Sequence, residues 1–110
     1  MITVEQLLMT AREEGASDVH ITVGVPPRMR VNGRIANLDY PSLSETDCSK
    51  IIYSIMDDRQ MELFRDNKQI EFALSVPKAG RYRVSAFMQK GLPACVIRLV
   101  TDSVSAPGDI

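Results

Sequence analysis

The sequence GRYRVSAFMQKGLPACVIRLV, residues 80–100, decides the fold, because it predicts two β-strands joined by a turn. Apolar and polar residues alternate along its first half, and a period of two residues is typical of a strand with one buried face. Residues 89–93 contain glycine and proline and are predicted to turn the chain. Residues 94–100 are apolar except for Arg98, which predicts a second strand. The side chains expected on the buried face of the first strand are Tyr82, Val84, Ala86 and Met88.

Two arginines of this predicted hairpin, Arg83 and Arg98, call for an explanation. A guanidinium group keeps its charge, so a position in an apolar run is costly unless the group is paired or reaches water. If the strands pair residues whose numbers sum to 181, Arg83 lies directly opposite Arg98 on one face of the sheet. Two cations placed in this way repel each other. The arrangement is therefore favoured if an anion lies between or beyond them.

Composition places the chain among ordinary globular domains. It has 110 residues, of which 45% are hydrophobic and 25% are charged, and its formal net charge is −1. These values predict one soluble domain with a modest core. A general nucleic-acid surface needs a basic excess, so we expect no nucleic-acid partner. The sequence has no apolar run of about 18 residues and no signal peptide, so we expect no transmembrane segment.

Cysteine and histidine are too sparse to predict a metal site. Cys48 and Cys95 lie far apart among apolar neighbours, and we interpret them as free, buried residues of a reducing compartment. His20 could act as a ligand or as a base. Because no second histidine, cysteine or acid pair lies near it in sequence, a structural role is favoured.

Hydrophobic periodicity and turn residues predict the other elements of an α+β domain, with about six strands in a mostly antiparallel sheet and helices packed on one face. Capping boxes are predicted at Thr3 with Gln6 and at Ser44 with Asp47. The predicted strands outside the central hairpin are Asp18–Val23, Arg28–Val31, Arg34–Leu38 and Gln69–Val76; the second and third form a hairpin around Asn32 and Gly33, and the last is followed by a turn at Pro77–Gly80. The first predicted helix is Thr3–Glu14, ended by Gly15. The second starts from Ser44 and buries Cys48, Ile51, Ile52, Ile55 and Met56, and a short third helix, capped by Asp57, buries Met61 and Phe64.

The chemistry of common enzymes is missing from the sequence. It has no GxxxxGK[ST] phosphate loop and no Ser/His/Asp set. Its distinctive feature is a group of arginines on or beside the predicted strands. Such arginines suit two-point recognition of phosphate, but they could equally pair with carboxylates such as Glu71 and Asp39 on an exposed sheet face. The arginines are Arg28, Arg30, Arg34, Arg81, Arg83 and Arg98.

Two segments resemble a known family. GASDVHITVGVPPRMRVNGRI, residues 15–35, strongly resembles the opening of the PilT/PilU family of type IV pilus retraction ATPases, which belongs with the type II and type IV secretion ATPases. Residues 80–100 resemble a second signature of the same N-terminal domain. Both signatures occur in the family's order, and the resemblance covers about residues 1–100.

The resemblance implies that residues 1–100 are the PAS-like N-terminal domain of such an ATPase, and that residues 101–110 are a linker toward a RecA-like ATPase domain. In the family, arginines of this hairpin contact nucleotide phosphates across the cleft between the domains. By motif position these are Arg83 and Arg98, with Arg81 as a further candidate. The resemblance implies no catalytic residue and no metal ligand within the 110 residues.

The resemblance also implies partners and a location. ATP and Mg²⁺ are expected in the longer protein, and no cofactor is expected in this chain alone, which lacks Walker motifs and should not hydrolyse ATP. The expected partners are the RecA-like domains of the same and neighbouring subunits of a homohexamer and a platform protein of the inner membrane. The expected location is the cytoplasm, peripheral at that membrane. The alternatives are a stand-alone PAS-like sensor or protein-interaction module with an apolar ligand pocket, and a scaffold domain whose arginines only pair with local acids.

Overall fold

The computed structural model describes residues 3–76 and 80–100, which form three helices and six strands. The strands make one antiparallel sheet in the spatial order third, second, first, sixth, fifth and fourth. The predicted α+β class, with a mostly antiparallel sheet of about six strands, is confirmed. The elements in chain order are α1 (Val4–Glu13), β1 (Asp18–Ile21), β2 (Arg28–Val31), β3 (Arg34–Asn37), α2 (Glu45–Ser54), α3 (Asp58–Asn67), β4 (Gln69–Val76), β5 (Gly80–Gln89) and β6 (Leu92–Val100).

All three helices begin with a reciprocal capping box. The side-chain oxygen of the capping residue accepts a hydrogen bond from the third helical N–H, and the side chain at that third position accepts one from the N–H of the cap. These bonds satisfy N–H groups that have no partner inside the helix. The two predicted boxes are confirmed, and the third helix adds another. The pairs are Thr3 with Gln6, Ser44 with Asp47 and Asp57 with Gln60.

The central hairpin has the predicted register, since β5 and β6 pair residues whose numbers sum to 181, including Arg83 opposite Arg98. Its turn is shorter than the sequence suggested. Lys90 and Gly91 alone make it, with φ of 53° and 78°. The second strand therefore starts at Leu92 rather than at residue 94. Pro93 precedes the residues of β6 that pair with β1. Its missing N–H therefore costs no hydrogen bond between β6 and β1.

The first strand is shorter than predicted, because it ends at Ile21 rather than Val23. Beyond that point the backbone turns toward the loop before α2, where Gly24, with φ of 92°, donates its N–H to the carbonyl of Leu43 at 2.8 Å. Val23 therefore lies beyond the strand, where it is half-buried and still packs against the core.

The predicted hairpin of β2 and β3 is confirmed, with Asn32 and Gly33 both at positive φ in its turn. Its second strand ends one residue earlier than expected, at Asn37. The next residue, Leu38, is buried, and its N–H donates to the carbonyl of Pro27 at 2.8 Å.

The core lies between the three helices and one face of the sheet. Phe64 of α3 is 1% exposed, whereas Met61, which was expected to be buried with it, is only half-buried. Cys48 of α2 and Cys95 of β6 are both free and buried, as predicted. Burial of these apolar side chains is the main stabilising contribution to the fold. Other residues that are at most 1% exposed are Leu7, Leu8, Ile21, Leu43, Ile51, Ile52, Val84 and Ile97.

Two sequence predictions fall outside the described residues. These are most of the turn at Pro77–Gly80 and the proposed linker at residues 101–110. Of the three helices described, none has the length and apolar character needed to cross a bilayer.

Candidate functional site

The candidate site lies on the face of the sheet that the helices do not cover, which we call the open face. Arg83 and Arg98 lie directly opposite each other on β5 and β6, with 63% and 69% of their side chains exposed. Arg81 lies two residues before Arg83 on the same face of β5, opposite Val100. The sheet therefore brings the three arginines singled out from the sequence onto one accessible surface.

Two carboxylates flank the arginine pair on its outer sides. A guanidinium N–H of Arg83 donates to Glu71 Oε1 of β4 at 3.2 Å. On the other side, Arg98 Nε lies 4.0 Å from Oδ1 of Asp18, the residue opposite it on β1. Across the sheet the charges therefore follow the order negative, positive, positive, negative. Each arginine is attracted away from the other, which offsets the repulsion between two cations on neighbouring strands.

The two carboxylates differ in burial and in the number of their partners. The Glu71 side chain is 61% exposed and forms an ion pair with Arg83. The Asp18 side chain is only 11% exposed, and its second oxygen lies 3.7 Å from Nε of Arg30, which is opposite it on β2. Asp18 is thus held between two arginines, whereas Glu71 sits at the rim of the open face.

A shallow depression of about 380 Å³ lies beside the arginine pair. Ser85 and Val96, which are opposite each other on β5 and β6, line it together with Glu71, Arg83 and Arg98. The hydroxyl and the two guanidinium groups can bind a phosphate group, whereas the Glu71 carboxylate on the same wall opposes an anion.

A second depression of about 620 Å³ adjoins the first and shares Glu71 and Ser85 with it. Among the described residues that line it, Glu71 is the one charged side chain, and none is basic. An anion therefore fits the smaller depression better than the larger one, since only the smaller one has cations on its wall.

The open face as a whole is basic although the chain is not. Strand pairing places five arginines on it, against the carboxylates of Glu71 and Asp18. The net charge of the whole chain is −1, so the positive charge is concentrated on one surface. Such a concentration attracts anions and is weakened by salt. The five arginines are Arg28, Arg30, Arg81, Arg83 and Arg98.

His20 also lies on the open face, between Val96 of β6 and Arg28 of β2. Its Nε2 atom is buried and has no hydrogen-bond partner in the described part of the chain. Burial lowers the pKa of His20 below its ordinary value of 6.5; the nearby Asp18 carboxylate opposes this shift, while Arg30 and Arg28 add to it. The imidazole is therefore neutral near pH 7 and adds no cation to the face.

Sequence reasoning identified one of the two carboxylates and missed the other. Glu71 was named as a partner for the arginines, and its pair with Arg83 confirms that prediction. Asp39 was named as well, but the carboxylate beside Arg98 is Asp18. Alternation in the sequence predicted that Asp18 points outward from its strand. It did not predict which strand pairs with that one, and therefore not which arginine lies beside Asp18.

The interior shows no room for a ligand at the interface of α1 and the sheet. An opening there, lined among others by Leu8, Tyr82 and Leu99, has a volume of about 10 Å³. That is space for at most one water molecule. Within residues 3–76 and 80–100, no three His, Cys, Asp or Glu side chains are grouped in a way that could hold a metal ion.

Comparisons with known proteins agree with this fold. No family model matches the chain. It is 38% identical over 100 residues to the type IV pilus ATPase PilU of Pseudomonas aeruginosa, a match that covers 91% of this chain and 26% of PilU. It is 34% identical over 101 residues to the retraction ATPase PilT of the same organism, which covers 92% of this chain and 29% of PilT.

A solved structure gives the same result. The crystal structure of the pilus retraction motor PilT with bound ADP superimposes with a TM-score of 0.89 at 33% identity, covering 96% of this chain and 31% of that one. The chain thus spans less than a third of the length of the proteins it matches. Sequence and fold together place it in the PilT/PilU family of type IV pilus ATPases, as a PAS-like domain of the kind that forms their N-terminal part.

Proposed function

We propose that this domain senses the phosphates of a nucleotide in a pilus retraction ATPase. In this proposal Arg83 and Arg98, with Arg81 beside them, contact the phosphates of ATP held by a RecA-like domain of a longer protein. The observation that carries the proposal is the direct opposition of Arg83 and Arg98 on an accessible face, where both line a depression of about 380 Å³. The ADP bound to the structurally similar PilT supports the choice of ligand.

The proposed role of the arginines is electrostatic. A guanidinium directed at the terminal phosphate stabilises the charge that spreads over the transferred phosphoryl group, and it can distinguish ATP from ADP. Loss of this contact after hydrolysis would release the open face from the nucleotide and allow the two domains to move. The phosphate loop and Mg²⁺ would come from the RecA-like domain, because the 110 residues contain no Walker motif.

The rest of the proposal concerns assembly. The domain would pack against the RecA-like domains of its own and of the next subunit in a homohexamer, with residues 101–110 as the connection. The assembly would act in the cytoplasm, against a platform protein of the inner membrane. This part of the proposal rests on the family resemblance of residues 15–35 and 80–100.

Two other functions are less well supported. A stand-alone sensor that holds a small apolar ligand needs space between helices and sheet, and the opening beside α1 has a volume of only about 10 Å³. A scaffold whose arginines merely pair with acids agrees with the Arg83–Glu71 ion pair. It gives no reason for placing Arg83 opposite another arginine, which raises the free energy of the fold.

The test is made in the longer ATPase. Arg83→Ala and Arg98→Ala should each lower ATP turnover by about 100-fold or more, as expected for loss of an arginine that stabilises transferred phosphate. Arg59→Ala is the matched control, since it removes the same charge from the exposed surface of α3. Wild-type turnover in both hairpin variants would exclude the arginine assignment, provided that circular dichroism shows them to be folded.

A further inference from the structure

We propose that Glu71 occupies Arg83 in place of phosphate until a nucleotide arrives, while Asp18 stays between Arg98 and Arg30. This inference rests on the proposed function and assigns different roles to the two carboxylates beside the arginine pair. Phosphate binding then becomes an exchange of anions at Arg83, with Arg98 as the second cation of the site.

The first observation is the geometry of the charges. Glu71 and Asp18 lie on the outer sides of the pair, so each draws its arginine away from the centre. The depression lies where the exchange would take place, because Glu71, Arg83 and Arg98 all line it. An anion that enters it faces two guanidinium groups and one competing carboxylate.

The second observation is the difference in exposure. The Glu71–Arg83 ion pair has both side chains more than 60% exposed, and exposed pairs of this kind contribute little and are screened by salt. Asp18 is 11% exposed and lies beside Arg30 as well as Arg98. Asp18 therefore keeps an arginine neighbour whatever Arg98 does, whereas Glu71 is an exposed carboxylate that can release Arg83 to solvent or to another anion.

The exchange predicts that Glu71 reduces the affinity of the open face for phosphate. The carboxylate competes for Arg83, and it also repels an anion in the depression that it lines. A neutral side chain of the same size should remove both effects. Glu71 thus acts on phosphate in two ways, by competing for Arg83 and by repelling the anion directly.

The test measures the binding of inorganic triphosphate to the 110-residue chain at low ionic strength. Binding is detected by NMR, from the shifts of the arginine Nε–Hε signals. Glu71→Gln should bind triphosphate about three- to tenfold more tightly than wild type. This range follows because the substitution removes an exposed ion pair that competes for Arg83 and one negative charge that repels the ligand. Glu62→Gln is the matched control, because it removes the same charge from the exposed side of α3. The gain from Glu71→Gln should be smaller when Arg83 is also replaced by alanine, because only the direct repulsion then remains to be removed, and the double-mutant cycle isolates the coupling of the two residues.

The outcomes separate this inference from the proposed function. Equal affinities in Glu71→Gln and Glu62→Gln, or no binding by Glu71→Gln at all, would overturn the exchange. If Arg83→Ala weakens binding while Glu71→Gln leaves it unchanged, the exchange fails and the arginine contact stands. If Arg83→Ala binds triphosphate as tightly as wild type, both fail.

Discussion

Asp18 and Glu71 offer a sharp test of how burial controls the contribution of an ion pair. Both carboxylates lie beside an arginine on the open face, and both can be neutralised with little change of shape, as Asp18→Asn and Glu71→Gln. The side chain of Asp18 is 11% exposed and that of Glu71 is 61% exposed. We expect the first substitution to destabilise the fold clearly and the second to have almost no effect.

The magnitudes follow from the neighbours of each carboxylate. Glu71→Gln removes one exposed ion pair, which is worth about 0.5 kcal/mol or less. Asp18→Asn removes attraction to two arginines, Arg98 and Arg30, and leaves no anion between them. Each lost attraction is worth up to about 1 kcal/mol, so we expect a total loss of about 1–2 kcal/mol. For a domain of this size, that lowers the melting temperature by roughly 5–10 °C.

The assay is urea unfolding of the two variants and of wild type, followed by circular dichroism at low and high salt. The free energy of unfolding should fall for Asp18→Asn, and high salt should reduce the loss because it screens the remaining repulsion between the arginines. An equal or larger loss for Glu71→Gln would contradict the reasoning. An Asp18→Asn variant as stable as wild type would also contradict it, because Asp18 would then not stabilise the neighbouring arginines Arg98 and Arg30.

Two further predictions concern buried groups. His20 is the one histidine of the chain, and its lowered pKa means that the unfolded chain binds more protons below about pH 6.5. The free energy of unfolding should therefore fall as the pH drops from about 7.5 to about 5.5, which is measured as a falling urea midpoint. In His20→Gln the midpoint should depend less on pH. An equal dependence in wild type and variant would exclude His20 as its source. Burial raises the pKa of Cys48 to about 11 and raises that of Cys95 further. Neither thiol should therefore react with a disulfide reagent at about pH 8 until the chain is unfolded. Fast labelling of the native chain would show that one of the two thiols is accessible.

Local sequence patterns predicted the elements that depend on near neighbours. The capping box at Ser44 and the hairpin at Asn32 follow from a few adjacent residues, and both occur as expected. The register of β5 and β6 was also predictable, because the connection is short and fixes which residues face each other. Errors remained at the ends of elements. The turn at Lys90 is only two residues long, and β1 stops where Gly24 bonds to a distant loop.

The pairing of β1 with β6 was not predictable from local patterns, and half of the candidate site depends on it. About eighty residues separate Asp18 from Arg98, and no turn sets their register. Alternation showed that Asp18 points outward, but any strand could have been its neighbour. The sequence thus led to Arg83, Arg98 and Glu71 within the local hairpins, and the carboxylate that fixes Arg98 was found only in the folded sheet.

The proposed function explains the position of Arg83 opposite Arg98 by a ligand rather than by folding. An arginine facing glutamate across the strands would stabilise the sheet, whereas two arginines facing each other destabilise it. The sheet limits this cost by drawing the two apart, and the pair that holds Arg83 is an exposed one that releases it easily. A partner that releases Arg83 easily is what the proposed site needs, because its anion must enter and leave in every cycle.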